Sequence, residues 1–252
     1  DFVSTLHNEE NEAKYSDLVI KEIKWHLQRS DFQERFAGAR VDSLYFGGGT
    51  PSILKPDFFE PIIELCRTSF NFTSDIELTV ETNPESIDFE NLIKLKSFGV
   101  NRISLGVQSF ENDELAKMNR VHTREDALKA AEKIKQAGFK NFSIDLITGY
   151  PGQTTESMSR SLENLISQNP QHTSIYKIEV RPGTYLEYQI EKQEIPPVDE
   201  DLIETFYKTV CKRLGENGYQ RYEMSSFAKP GFACKQNLKF WKDGIFLGFG
   251  AG

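Results

Sequence analysis

Cysteine is scarce in this chain: Cys66, Cys211 and Cys234 are the only three in 252 residues, and no two lie at a metal-ligand spacing. That excludes a disulfide framework and a thiolate zinc site, and leaves each as a small core residue or inert thiol. Basic residues are also in deficit, 30 Lys and Arg against 38 Asp and Glu for a net charge of −8. The general attraction to phosphate backbones on which nucleic-acid binding rests is therefore missing. No window approaches the ~18–20 uninterrupted apolar residues of a membrane-spanning helix. The opening DFVSTLHNEENEAK has neither signal-peptide nor basic transit character, so a soluble cytoplasmic protein is expected. His7, His26, His122 and His172 form no HxH or HxxxH pair, and no GxSxG elbow occurs, which argues against zinc and serine hydrolysis.

What is present is an alternation of helical and strand patterns. Helical periodicity from about Asn11 to Arg29 precedes the β-like run Val41 to Phe46, which ends at glycines. Pro56 to Phe70, Asp88 to Phe98 with Asp88 as cap, Arg124 to Ala137, Glu156 to Ser167 and Asp199 to Glu216 are predicted helices. Between them Ile76 to Val80, Asn101 to Leu105, Asn141 to Ile147 and Thr173 to Val180 are predicted strands. Such alternation indicates an α/β fold of parallel strands with right-handed crossovers, a barrel or a doubly wound sheet. The placement of polar residues favours a TIM-like barrel with helices outside, because Gly47 to Thr50, Glu81, Gln108 and Asp145 each stand at or just past a predicted strand's C-terminal end. A barrel builds one site from several such ends.

These residues are the candidate site. Gly47-Gly48-Gly49-Thr50-Pro51 lets backbone groups approach a ligand closely; the plain alternative is a tight turn. Glu81 can hold an ammonium or a pair of hydroxyls. Gln108 ends a third strand, and Arg120 can clamp a carboxylate or simply pair at the surface with Glu111 or Glu114. Asp145 interrupts the apolar run Phe142 to Ile147, where an unpaired carboxylate costs several kcal/mol, so it needs a partner or a ligand. The set suits a zwitterionic ligand carrying an amino group, a carboxylate and a ribose, and contains no nucleophile or proton-transfer dyad.

The segments LYFGGGTPSIL, ELTVETNPESI, GVNRISLGVQSFENDELAKMNR, FSIDLITGYPGQT and YEMSSFAKPGFACKQNLKFW, in this order, closely resemble the radical S-adenosylmethionine enzymes of the oxygen-independent coproporphyrinogen III oxidase group. The HemW-type heme chaperone branch is the most similar. The resemblance runs from Asp1 to Gly252 and implies a partial (β/α)6 barrel forming one radical SAM core domain over 1–252. It implies that Gly48, Gly49 and Thr50 bind the methionine end of S-adenosylmethionine, and that Glu81, Gln108, Arg120 and Asp145 are further cofactor-binding positions. It also implies a [4Fe-4S] cluster, heme as cargo, a heme-requiring respiratory partner and a binding rather than a turnover role. The alternatives are a coproporphyrinogen III dehydrogenase, which decarboxylates propionate side chains by radical chemistry, and a cluster-free binding scaffold.

Two departures from the family pattern stand out. Its CxxxCxxC cluster motif is absent, and Asp1-Phe2-Val3-Ser4 resembles the stretch directly after the third cysteine, so the cluster ligands are expected outside this chain. The glycine-rich apolar run Ile245 to Gly252 likewise suggests a chain cut from a longer one, with a further domain beyond it. The second departure is Lys235 to Trp241. The chaperone branch has HNxxYW here, with a histidine implicated in heme binding, whereas Gln236 and Phe240 replace the histidine and tyrosine. Glutamine is a poor axial ligand for heme iron.

Overall fold

The computed structural model describes residues 8–251, apart from the side chains of Glu9 and Glu10. His7 and the Asp1 to Ser4 stretch likened to a post-cluster segment lie outside the described residues, as does Gly252. The chain divides into two compact units. One runs up to Thr82, takes in Ser86–Ile103 and resumes from Lys235; the other comprises Asn83–Glu85 and Ser104–Cys234.

The first unit begins with α1 (Glu9–Gln28) and the short α2 (Ser30–Arg35), followed by β1 (Arg40–Phe46), α3 (Pro56–Ser69), β2 (Asn71–Thr82) and α4 (Phe89–Ser97). In α1, Ser16, Val19 and Ile23 are buried at three- and four-residue spacing, the apolar stripe of an amphipathic helix. That stripe packs on α3, where Phe58 stacks on Tyr15 at 5.9 Å between ring centroids. α3 starts with Pro56, whose missing N–H is harmless at the first helical position. β1 and β2 pair in parallel, with Ser43 beside Glu77 and Phe46 beside Val80. Glu77, Leu78, Thr79 and Val80 are all buried, as expected where both faces of a parallel strand are covered. Asp88 caps α4 by accepting from the Asn91 amide at 2.9 Å, the role expected of it.

The second unit holds β3 (Arg102–Gln108) from Ser104 onward, and α5 (Asn112–Lys117), α6 (Arg124–Gln136), β4 (Phe142–Thr148), α7 (Thr155–Gln168), β5 (His172–Lys177), α8 (Tyr185–Glu191), α9 (Glu200–Glu216), β6 (Gln220–Arg221) and β7 (Ser226–Ala228) follow in turn. The strand order is β3-β4-β5-β7-β6. β4 and β5 are parallel, with Ser143 beside His172 and Asp145 beside Ser174. β7 lies antiparallel to both β5 and β6, an edge that the sequence pattern does not announce because two or three residues carry no periodicity. Thr123 and Thr154 open α6 and α7 with reciprocal capping boxes. Phe206, Val210 and Leu214, four residues apart on α9, are at most 1% exposed and supply the helical stripe of the core. The chain then returns to the first unit as α10 (Lys235–Trp241).

α2, α5, α8 and α10 lie outside the predicted helices. Each has six or seven residues, too few turns for an apolar stripe to repeat. β2 begins at Asn71 rather than Ile76 because Asn71 and Phe72 pair with Arg40 and Val41 ahead of a register shift, a bulge that sets the early residues apart from the regular alternation.

Candidate cofactor-binding site

In the first unit the glycine turn and Glu81 form one structure. Tyr45 donates its hydroxyl to Glu81 Oε1 at 2.6 Å, and the Gly48 amide donates to Glu81 Oε2 at 3.2 Å. Both carboxylate oxygens are thereby held. A Cβ at Gly47 would stand 2.8 Å from Tyr45 Cε1 and 3.1 Å from the Glu81 carboxyl carbon, so glycine is needed for the turn to pass this close. Gly48 has φ +122 with open space where a Cβ would be, leaving backbone accessible to a ligand. Thr50 leads into a 3-10 turn, Pro51–Ile53, its carbonyl accepting from Ile53 at 3.1 Å.

In the second unit Gln108 ends β3 in the left-handed region at φ 69, turning the chain out of the strand. Arg120 follows α5. Among the described residues it pairs with neither surface acid open to it: Glu111 binds Arg160 at 2.6 Å, and Glu114 Oε2 accepts from Ser109 at 2.6 Å and Gln153 at 3.0 Å. Arg120 is half-buried, and burial pulls its pKa down against the opposing charge of Glu85. Glu85 is itself engaged by His122, whose Nδ1 lies 3.1 Å from Glu85 Oε2 and whose Nε2 lies 3.0 Å from the Val107 carbonyl oxygen. The ring therefore has an oxygen within hydrogen-bond distance of each nitrogen. Burial pushes the Glu85 carboxyl up, but the His122 hydrogen bond, its own backbone amide and the charges of His122 and Arg120 outweigh that and hold it below the usual range.

Asp145 stands in the middle of β4 rather than at its C-terminal end, because the strand continues through Thr148, and it has the partners that its apolar strand demands. Ser104 donates to Oδ2 at 2.7 Å, Ser143 donates to Oδ1 at 2.6 Å, and the Ser174 amide donates to Oδ1 at 3.3 Å. A carboxylate has about four acceptor positions, so these three donors leave one unfilled on half-exposed Asp145. No hydrogen bond among the described residues joins Gln108, Arg120 and Asp145 to one another, so within this unit they are separate groups rather than a dyad.

Sequence reasoning passed over Tyr45, Glu85, His122, Ser143 and His172. Only Ser143 carried a local signal, lying two residues before Asp145 and so on the same strand face. Among the described residues no group of three His, Cys, Asp or Glu could hold a metal ion, and none of the three cysteines is disulfide-bonded. Gln236 is occupied in the first unit, its Oε1 accepting from Ser43 at 3.0 Å. Glu77 and Asp75 hold Lys235, and Asp42 holds Lys239 at 2.7 Å. The Lys235 to Trp241 helix is thus fastened along β1 and β2, and Gln236 serves that attachment. No described helix is long and apolar enough to cross a membrane.

The radical SAM superfamily profile matches residues 28–165. The chain is 33% identical over 96% of its length to the heme chaperone HemW of Haemophilus influenzae, and 36% identical over 84% to that of Bacillus subtilis. It spans 61% and 56% of those two proteins. The coproporphyrinogen III oxidase of Escherichia coli, a radical SAM enzyme, superposes with a TM-score of 0.76 at 27% identity, covering 94% of this chain and 52% of that one. The α/β, partial-barrel architecture expected from the sequence is the fold shared with these proteins.

Proposed function

Because the chain belongs to the radical SAM superfamily, we propose that it is the core domain, over 1–252, of a HemW-type heme chaperone that binds S-adenosylmethionine. The observation that carries this reading is the 32–36% identity to heme chaperones over most of the chain. The cofactor fits the residues present. Glu81, with both oxygens oriented by Tyr45 and Gly48, suits an ammonium. Gly48, with open space where a Cβ would be, lets the methionine end approach the turn, and Gly49 and Thr50 are proposed as its further contacts. Arg120, which feels the charge of Glu85 but forms no ion pair with it among the described residues, suits a carboxylate, and the remaining acceptor position of Asp145 suits a ribose hydroxyl. Gln108 is proposed as a further contact. Bound S-adenosylmethionine supplies a reducible sulfonium. The protein's task is to orient that ligand and exclude water around it.

The [4Fe-4S] cluster of the family finds no ligand set among the described residues. Heme enters the proposal as cargo passed to a heme-requiring respiratory partner in the cytoplasm. Gln236 does not fit as its axial ligand: its oxygen is engaged by Ser43 and its amide nitrogen has no lone pair to give. The second reading, a coproporphyrinogen III dehydrogenase, is favoured by the structural likeness to the Escherichia coli enzyme.

The deciding experiment uses the full-length protein, reconstituted anaerobically with iron and sulfide and then reduced. Stoichiometric heme binding with slow 5′-deoxyadenosine release that ignores coproporphyrinogen III is the expected result. Release coupled to decarboxylation of coproporphyrinogen III overturns the chaperone in favour of the dehydrogenase. A protein that takes up no iron and releases nothing is a scaffold.

A further inference from the structure

The donors that hold Asp145 continue into the interior of the second unit as a chain of hydrogen bonds. Ser143 commits its single hydroxyl proton to Asp145 Oδ1 at 2.6 Å, so toward His172 its oxygen is an acceptor. His172 Nδ1, 2.8 Å away, must then carry a proton. In the neutral ring this leaves the lone pair on Nε2, and the Tyr222 hydroxyl at 2.7 Å donates to it. The Tyr222 oxygen in turn accepts from the Cys234 amide at 3.3 Å. All four bonds take one direction, from the Cys234 amide through Tyr222, His172 and Ser143 to the carboxylate. Ser143 and His172 are 0% exposed. Alanine, leucine and phenylalanine would fill the same space without the cost of desolvating polar groups, so packing gives no reason for these three side chains.

We propose that His172 and Tyr222 are positioning residues: through Ser143 they fix the Asp145 carboxylate so that its remaining acceptor position is presented in one orientation to a ribose hydroxyl of an adenosyl ligand. The inference rests on the reading of Asp145 as a cofactor-binding residue. Without the His172 proton the Ser143 hydroxyl is free to rotate, and Asp145 loses a short donor on one oxygen. His172 comes to Ser143 by strand register, since the two are neighbours across β4 and β5. Tyr222 comes from the segment between β6 and β7, so three separate strands or their connections contribute to the hold on one side chain.

The test compares S-adenosylhomocysteine with its analogue lacking both ribose hydroxyls, by calorimetry on the full-length, anaerobically reconstituted protein. Tyr222→Phe, His172→Leu and Ser143→Ala are expected to weaken binding of the ribose ligand ~3- to 10-fold, the size expected for loss of one oriented hydrogen bond, and to leave the analogue's binding unchanged. His172→Asn, which keeps an amide N–H near the Nδ1 position, is expected to restore the ribose preference that His172→Leu removes. Tyr222→Phe deletes only one oxygen at a half-buried position and keeps the test open if the fully buried variants fail to fold. Equal weakening of both ligands means the chain is merely structural and overturns the proposal. Retention of the ribose preference in Tyr222→Phe and His172→Leu while Asp145→Asn loses it also overturns the relay. Asp145→Asn binding both ligands as the unaltered protein does overturns instead the reading of Asp145 itself.

Discussion

Replacing His122 with leucine tests the arrangement that leaves Arg120 available. The imidazole is buried, with a side chain 0% exposed against 33% for Glu85, and it makes two bonds: one to the Glu85 carboxylate and one to the Val107 carbonyl. Val107 also accepts from the Ser109 amide at 2.9 Å, so its oxygen is not orphaned by the substitution, and that loss is about 0.5–1 kcal/mol. The charge-assisted bond to Glu85 is worth about 1.5–3 kcal/mol when desolvated; with a third of the carboxylate in water, the lower end applies. The expected destabilisation is therefore about 2–3 kcal/mol, or about 4–12 °C in Tm for a chain of this size. A double-mutant cycle with Glu85→Gln isolates the pair, with an expected coupling of about 1–2 kcal/mol. The pH dependence has a definite sign. Glu85 is held below the usual carboxylate range, so its contribution is fully present above its unfolded pKa, about 4.3, and is lost as pH falls through the lower folded value. Thermal unfolding followed by circular dichroism from pH 7 to 3 should show the gap between the two proteins level down to about pH 5 and narrowing below. A coupling under about 0.5 kcal/mol, or a gap that stays constant to pH 3, refutes the pairing.

Gly149→Ala places a Cβ 2.6 Å from Ile203 Cγ1 at a residue with φ +83; backbone strain of about 1–2 kcal/mol and overpacking of about 1–3 kcal/mol should lower the denaturant midpoint, and Ile203→Ala should recover only the packing part. Tyr45→Phe removes the 2.6 Å donor to Glu81; stability should fall by about 1 kcal/mol, with a several-fold loss of S-adenosylmethionine affinity by calorimetry. Burial pushes the Cys66 thiol up to about 11, so mass spectrometry after alkylation of the native protein at pH 8 should find half-buried Cys211 modified well before Cys66; equal labelling would contradict the burial.

Legibility from the sequence follows the range of each interaction. The strand and helix alternation, the Asp88 cap and the glycine turn were readable because each is decided within one turn of helix or a few strand residues, by periodicity or by a backbone that only glycine allows. Asp145 was readable as a residue needing a partner, because a carboxylate in an apolar strand is costly whatever surrounds it. Its partners were another matter. His172 is 29 residues from Ser143, and Tyr222 is 50 residues from His172. His122, one of four isolated histidines in the sequence, meets a glutamate 37 residues away. The antiparallel β6 and β7, too short for any pattern, exist because β5 offers an edge with unpaired backbone groups. Which side chains touch across such separations depends on strand register and crossover, and a change of one residue in register would turn each of these polar groups to the opposite face. The sequence by itself determined which chemical groups stand at the strand ends; tertiary structure decided which of them are held, by what, and which are left with a bond to give.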